Sequence, residues 1–133
     1  MAYWLVKTEP TKWSWDDQVK AKRTHWNGVR NAQALGNMRA MKKGDLVFFY
    51  HSVEGKEIVG ITKVAREFYP DPDDDKSGLV DLEAVKPLRT PVTLAAMKAD
   101  ERLKDLALIR QSRLSVMPID ETAWSIISGM GGV

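Results

Sequence analysis

The sequence of 133 residues contains no cysteine and only two histidines. Disulfides, thiolate metal sites and a cysteine nucleophile are therefore excluded by composition. His25 and His51 cannot supply the three imidazoles of a histidine zinc site, and no spacing of carboxylates favours a mixed one. We expect neither a metal nor another cofactor.

Long apolar runs and linker-like stretches are also missing. No segment approaches the roughly 20 apolar residues that cross a bilayer, and the first ten residues resemble neither a signal peptide nor a transit peptide. No Gly/Ser/Pro-rich stretch or internal repeat divides the sequence, and its 44% apolar content is enough for one continuous core. We expect a single domain over residues 1–133, cytoplasmic and monomeric, without membrane contact.

Sequence motifs of several enzyme classes are absent. There is no G-x-S-x-G elbow, no G-x-x-x-x-G-K phosphate loop, and no H-x-E followed by P-C-x-x-C. His51 and Ser52 could form a base and a nucleophile, but neighbouring strand residues point to opposite faces. His51, Glu9 and Asp45 remain as candidates for proton transfer. We predict a protein that is not an enzyme.

Charge is distributed unevenly along the chain. The formal net charge is +2, yet residues 1–66 carry 12 Lys/Arg against 6 Asp/Glu, whereas residues 67–133 carry 8 against 12. Trp13, Trp15 and Trp26 lie among polar neighbours in the basic half, while Trp4 and Trp124 have apolar neighbours typical of a core. A basic, aromatic surface suits a polyanion whose bases can stack, although a face of ordinary solvated lysines is the alternative.

The pattern of apolar residues predicts more strands than helices. Strands are predicted at residues 3–8, 46–51, 57–68, 79–85 and 114–118. Helices are predicted after the N-caps Ser14, Asn31 and Thr93, and over residues 120–128 with an end at Gly129. Residues 23–30 and the acidic tract 69–75 read as loops. Short turns between the strands indicate an α+β fold, with a mixed or antiparallel sheet curled into a small β-barrel that has helices at its mouth.

Several sequence blocks together resemble the EVE domain family over essentially the whole chain. They are YWLVKTEP at residues 3–10, WSWDD at 13–17, WNGVRN at 26–31, FYHS at 49–52, YPD at 69–71 and RQSRLSV at 110–116. The family is similar to PUA-like readers, among them YTH domains, which cage a methylated adenine, and SRA domains, which hold a flipped methylcytosine. Thymocyte nuclear proteins are its eukaryotic relatives.

This resemblance implies a PUA-like barrel that binds nucleic acid, DNA or RNA, and accepts one flipped, modified base, such as a modified cytosine, in an aromatic pocket. Trp26 would be the aromatic wall. The other pocket residues implied are Lys7, Thr8, Glu9, Asn27, Asn31, Tyr50, His51, Ser52 and Tyr69. The residues implied to face the nucleic-acid backbone are Arg30, Arg110, Gln111 and Ser112. The alternative is a small nucleic-acid-modifying or nucleoside-processing enzyme that uses His51 or Glu9.

Overall fold

The computed structural model describes residues 1–133 as one six-stranded mixed sheet with five α-helices. The strands are β1 (Tyr3–Thr8), β2 (Arg23–Trp26), β3 (Leu46–His51), β4 (Glu57–Asp71), β5 (Asp74–Thr93) and β6 (Val116–Ile119). The helices are α1 (Trp15–Ala21), α2 (Ala32–Ala40), α3 (Leu94–Ala99), α4 (Ala107–Arg110) and α5 (Glu121–Met130), with a 3₁₀ turn at Glu101–Leu103. No helix is both long and apolar enough to span a bilayer.

The strand order is β2-β5-β4-β3-β1-β6, and only the β1–β3 pair is parallel. The sheet is not closed, so the expectation of a barrel is wrong, whereas the α+β class is confirmed. The outer edge of β6 is partly blocked to a further strand. The Asn37 side chain donates to the outward carbonyl of Val116 at 2.7 Å, and Pro118 has no N–H to offer a further strand.

The hydrophobic core contains aromatic side chains on both faces of β3. On one face, Phe48 stacks on Trp124 of α5 with ring centroids 3.7 Å apart. On the other face, Phe49 meets the edges of Trp15 and Trp26, with centroids at 5.2 and 5.6 Å. Trp4 and Trp124 are 6% and 8% exposed, which confirms their predicted place in the core.

The predicted N-caps are confirmed by their hydrogen bonds. Ser14 forms a capping box with Asp17 at the start of α1. Asn31 and Thr93 accept the N–H groups of the third residues of α2 and α3. The predicted end of the last helix at Gly129 is wrong, because α5 continues to Met130 and the Gly131 N–H donates to Ile127 O at 2.9 Å.

Two segments predicted as loops are partly strands. In the acidic tract, β4 continues to Asp71 and β5 begins at Asp74, so only Pro72 and Asp73 form the turn. The carboxylates tolerate this arrangement because Asp71 accepts the Asp73 N–H at 2.8 Å and Asp74 pairs with a guanidinium. Residues 23–26 form β2 through pairing with β5, which local periodicity over four residues cannot reveal.

Candidate nucleic-acid interface

A cleft of about 540 Å³ lies where the two ends of the open sheet approach each other. We call it the seam cleft. Its walls come from the end of β1, from the outer strand β2 with the loop that follows it, and from the turn before α1. The lining residues are Lys7, Thr8, Lys12, Trp13, Thr24, His25, Trp26, Asn27, Gly28, Val29 and Ser115. Trp26, Lys7, Thr8 and Asn27 were expected there from the sequence.

Trp26 forms a rigid wall of the seam cleft. Only 8% of its surface is exposed, and its ring packs edge-on against Phe49 in the core. The following loop is attached to β5, because the buried Ser77 hydroxyl donates to Val29 O at 2.6 Å. Trp26 is therefore both a core residue and a cleft residue, so its orientation is fixed before any ligand arrives.

Trp13 is a second indole in the seam cleft, and the family resemblance did not assign it to the pocket. Its Nε1 donates to Gln18 Oε1 at 2.9 Å, and its carbonyl accepts from the Thr8 hydroxyl at 2.9 Å. Gln18 is fully buried and donates in turn to Leu82 O at 3.2 Å. The tryptophan-rich, polar N-terminal sequence was the signal that pointed to Trp13.

Lysines give the seam cleft a positive lining. The Lys7 ammonium donates to Ser112 O at 2.8 Å and lies 6.0 Å from the centre of the Tyr50 ring. Burial lowers the pKa of Lys7 below its usual value. Lys12 is exposed and pairs with Glu9 at 3.2 Å. No carboxylate is among the lining residues, and Lys7 is the lining lysine that has no carboxylate partner.

A second depression, the basic groove, has a volume of about 330 Å³ and shares the Lys7–Ser112 contact with the seam cleft. It is lined by Asn31, Gln33, Arg110, Gln111, Ser112, Arg113 and Leu114. The structure thus brings together three of the four residues expected to face a nucleic-acid backbone. Arg110 lies 3.4 Å from Asp105, whereas Arg113 has no ion pair.

A third depression, the acidic groove, has a volume of about 490 Å³ and borders the seam cleft at His25, Asn27 and Gly28. Its other lining residues are Tyr69, Asp71, Pro72, Asp73, Asp74 and Leu79. The two grooves differ in charge, because the acidic groove contains three carboxylates and the basic groove contains two guanidinium groups.

Two expected site residues are held at the acidic groove rather than at the seam cleft. Tyr69 donates to Asp81 at 2.5 Å, and its ring lies 3.7 Å beneath the Arg66 guanidinium. Burial and the bond to Asp81 raise the pKa of Tyr69. Arg30 is also engaged, because it pairs with Asp74 at 2.9 Å. The Arg30 guanidinium is therefore held at the β4–β5 turn by this ion pair.

Tyr50, His51, Ser52 and Glu9 line none of the three depressions. Tyr50 is 3% exposed. The Nε2 of His51 accepts the Trp15 N–H at 3.0 Å, and burial lowers the pKa of His51. The Ser52 N–H donates to Thr8 O at 2.9 Å. These strand-end residues therefore support the first turn of α1 and the end of β1.

The candidates for proton transfer do not share a site. His51 caps α1, Glu9 pairs with Lys12, and the Asp45 carboxylate accepts the Trp4 indole N–H at 3.0 Å. Although burial alone would raise it, the pKa of Asp45 is lowered by that bond and by two backbone N–H groups. No group of three or more His, Cys, Asp or Glu side chains is arranged to hold a metal ion.

Comparison with known proteins places this chain in a family. The EVE domain model matches residues 2–130. Rat thymocyte nuclear protein 1 is 33% identical, over 94% of this chain and 71% of the relative. A Rhodopseudomonas palustris protein solved by NMR is 56% identical, with a TM-score of 0.94 and coverage of 99% and 94% of the two chains.

Human THYN1, crystallised in complex with DNA that contains 5-methylcytosine, is 29% identical with a TM-score of 0.91, and the match covers 100% of this chain and 99% of that one. The similar folds, the family model and the similar sequences all indicate the same family. The chain belongs to the EVE domain family.

Proposed function

We propose that this protein binds nucleic acid without chemical turnover and holds one flipped, modified cytosine in the seam cleft. The observation that carries the proposal is a cleft with two fixed indoles, two lysines and no carboxylate. Its volume of about 540 Å³ lies in the usual range for clefts that bind small ligands. The human relative in complex with DNA containing 5-methylcytosine supports the choice of base.

The energetics require both stacking and polar contacts. Extracting a base from a stack costs a few kcal/mol, and stacking on an aromatic side chain contributes about 1–3 kcal/mol per base. A buried methyl group adds only about 0.8 kcal/mol. A hydrogen bond donated by the Asn27 amide and one accepted by the Thr8 hydroxyl oxygen, whose proton is bound to Trp13 O, supply the remainder together with phosphate contacts in our proposal.

We assign the phosphate contacts to the basic groove, which adjoins the seam cleft through Lys7 and Ser112. Arg110, Arg113 and the polar Gln111 and Ser112 can meet phosphate oxygens there. Asp71 and Asp73 repel phosphates at the acidic groove, where Asp74 is paired with Arg30. The backbone of the bound strand therefore leaves the cleft over residues 110–113, and Arg30 contributes less because Asp74 already binds it.

The other expected pocket residues take supporting roles in this proposal. Asn31 caps α2 beside the basic groove, and Tyr69 borders the acidic groove. Tyr50, His51, Ser52 and Glu9 hold the strand ends and turns behind the walls. An enzyme that uses His51 has no geometric support, because its Nε2 lone pair is occupied by the Trp15 N–H. The monomeric state and the cytoplasmic location stay predictions.

The test compares two tryptophans that are equally buried. Trp26 and Trp124 are each 8% exposed, but only Trp26 lines the seam cleft. We expect Trp26→Leu and Trp124→Leu to lose comparable stability. At a temperature where both variants are folded, Trp26→Leu should bind an oligonucleotide containing 5-methylcytosine about 5- to 150-fold more weakly, the equivalent of one lost stacking contact. Trp124→Leu should retain the wild-type Kd in fluorescence anisotropy, and equal binding by the two variants would refute the proposal.

A further inference from the structure

The outer edge of β2, whose residues Thr24, His25 and Trp26 line the seam cleft, carries backbone groups that no other strand pairs with. Lys22 immediately precedes β2, and its carbonyl accepts the Ala84 N–H at 2.7 Å. This bond continues the register in which β2 pairs with β5. Opposed residues in an antiparallel pair alternate between hydrogen-bonded and non-hydrogen-bonded positions. Thr24 and Trp26 therefore bond to β5, whereas His25, opposite Asp81, is at a non-bonded position. The N–H and C=O of His25 point away from the sheet.

These two groups are open to a ligand. β2 is the last strand at its end of the sheet, and no backbone hydrogen bond made by a turn or loop involves His25. His25 is exposed and lines the seam cleft. The edge of β6 differs, because Asn37 covers its Val116 carbonyl. The edge of β2 is thus a donor and an acceptor held side by side on a rigid strand.

Nucleobases differ in the pattern that such a pair can read. Cytosine and adenine present an amino donor next to an unprotonated ring nitrogen, which accepts. Thymine and guanine present a carbonyl acceptor next to a ring N–H, which donates. Where the cleft walls fix the orientation and depth of the base, a peptide N–H and C=O in fixed order match one of these patterns and oppose the other, because the reversed pattern sets donor against donor and acceptor against acceptor. Backbone groups also lose no side-chain entropy when they bind.

We propose that the His25 N–H and C=O read the hydrogen-bonding edge of the base in the seam cleft and select amino bases over keto bases. The inference rests on the proposed base-binding function and specifies its substrate class. The imidazole ring is not needed for this contact. His25 therefore determines specificity through its main chain. A substitution that changes only its side chain does not test this role.

Two substitutions separate the main chain from the side chain. His25→Ala keeps the peptide N–H, whereas His25→Pro removes it at a position where the ladder does not use it. The probes are two single-stranded oligonucleotides that differ only in 5-methylcytosine or thymine at one position. We expect wild type and His25→Ala to prefer 5-methylcytosine by about 5- to 150-fold, the range for a two-point base contact. His25→Pro should lose most of that preference.

Thr24→Pro is the matched control for the edge itself, because it removes an N–H that bonds to β5 and should destabilise the fold. If His25→Pro also fails to fold, amide NMR of the wild-type protein decides. The His25 N–H resonance should shift on titration with the 5-methylcytosine oligonucleotide, and that of Thr24 should shift much less. This inference is overturned if the His25 N–H resonance does not shift, or if folded His25→Pro keeps the full preference for 5-methylcytosine. Neither result would contradict binding of a base in the seam cleft. Binding that is insensitive to Trp26→Leu overturns the proposed function instead.

Discussion

The indole of Trp13 donates to Gln18 Oε1 at 2.9 Å, and the same Gln18 amide donates to the carbonyls of Leu82 and Lys22 at 3.2 and 3.3 Å. One fully buried side chain therefore joins a cleft wall to β5 and to the residue that precedes β2. Both walls of the seam cleft depend on a single amide.

Replacing Gln18 with Met tests this connection. Met preserves much of the volume but removes all three hydrogen bonds, and the half-buried Trp13 indole N–H loses its partner, whereas Lys22 O keeps the Ala84 N–H. We expect a loss of about 1–3 kcal/mol in the free energy of unfolding. Binding of the 5-methylcytosine oligonucleotide should weaken as well, since Trp13 is no longer fixed. Chemical denaturation measures the loss of stability, and fluorescence anisotropy at a temperature where the variant is folded measures binding. Unchanged binding would mean that Trp13 does not contact the bound base.

Salt dependence tests the basic groove. Arg113 has no ion pair, so replacing it with Gln removes one available phosphate contact. The slope of log K against log salt concentration should become shallower by about 0.7 for a single strand or 0.9 for a duplex. Arg89→Gln, which removes a guanidinium outside all three depressions, is the control and should leave the slope unchanged. Equal slopes in all three proteins would contradict our placement of the phosphates.

Asp73 lies exposed at the β4–β5 turn, where we expect it to repel the bound strand. Asp73→Asn removes one negative charge without disturbing the Arg30–Asp74 pair. Affinity at low salt should rise by about twofold, and the gain should vanish as the salt concentration approaches 1 M, because exposed charges are screened. Glu121→Gln on α5 is the charge-matched control. A gain of the same size in Glu121→Gln would indicate a general effect of net charge.

The hydrogen bond from the Trp15 N–H to His51 Nε2 requires a neutral ring and predicts a pH effect on stability. Burial lowers the pKa of His51, and Glu57 and Asp16 only partly oppose this. The unfolded chain, with a histidine pKa of about 6.5, binds the proton more readily, so stability is fully present above that pH and declines as the pH falls below it.

His51→Gln keeps an acceptor that does not titrate. We expect the wild-type Tm to fall more between pH 7.5 and 5 than the Tm of His51→Gln, as measured by differential scanning calorimetry. His25 is present in both proteins, and the low-pKa carboxylates of Asp45 and Asp81 titrate at more acidic pH. Parallel curves for the two proteins would show that the Trp15–His51 bond contributes nothing to this pH dependence.

Features encoded by a few neighbouring residues could be predicted from the sequence. Ser14 caps α1 because its hydroxyl reaches the Asp17 N–H, a contact within four residues. The apolar run of β3 likewise indicated a strand buried on both faces, and Phe48 and Phe49 are fully buried. The resemblance placed Trp26 and Lys7 at one site, and both line the seam cleft.

Features that depend on distant partners could not be predicted in the same way. The cover on the outer edge of β6 is a contact between Asn37 and Val116, 79 residues apart. The engagement of Arg30 by Asp74 depends on a strand pairing that brings the β4–β5 turn beside the loop after β2. Periodicity carries no information on either contact, because both are set by the tertiary arrangement.

One wall of the seam cleft belongs to β2, at one end of the sheet, and the other to β1, the second strand from the other end, and the two strands are not paired with each other. Apart from the Gln18 link, the width of the cleft depends on curvature accumulated from β2 through β5, β4 and β3 to β1, including the bulges between Phe49 and Tyr50 and between Ile58 and Gly60. A side chain at Gly60 would come within 2.5 Å of the Trp15 ring. Changes in the middle of the sheet can thus retune which ligand fits, although they touch neither wall.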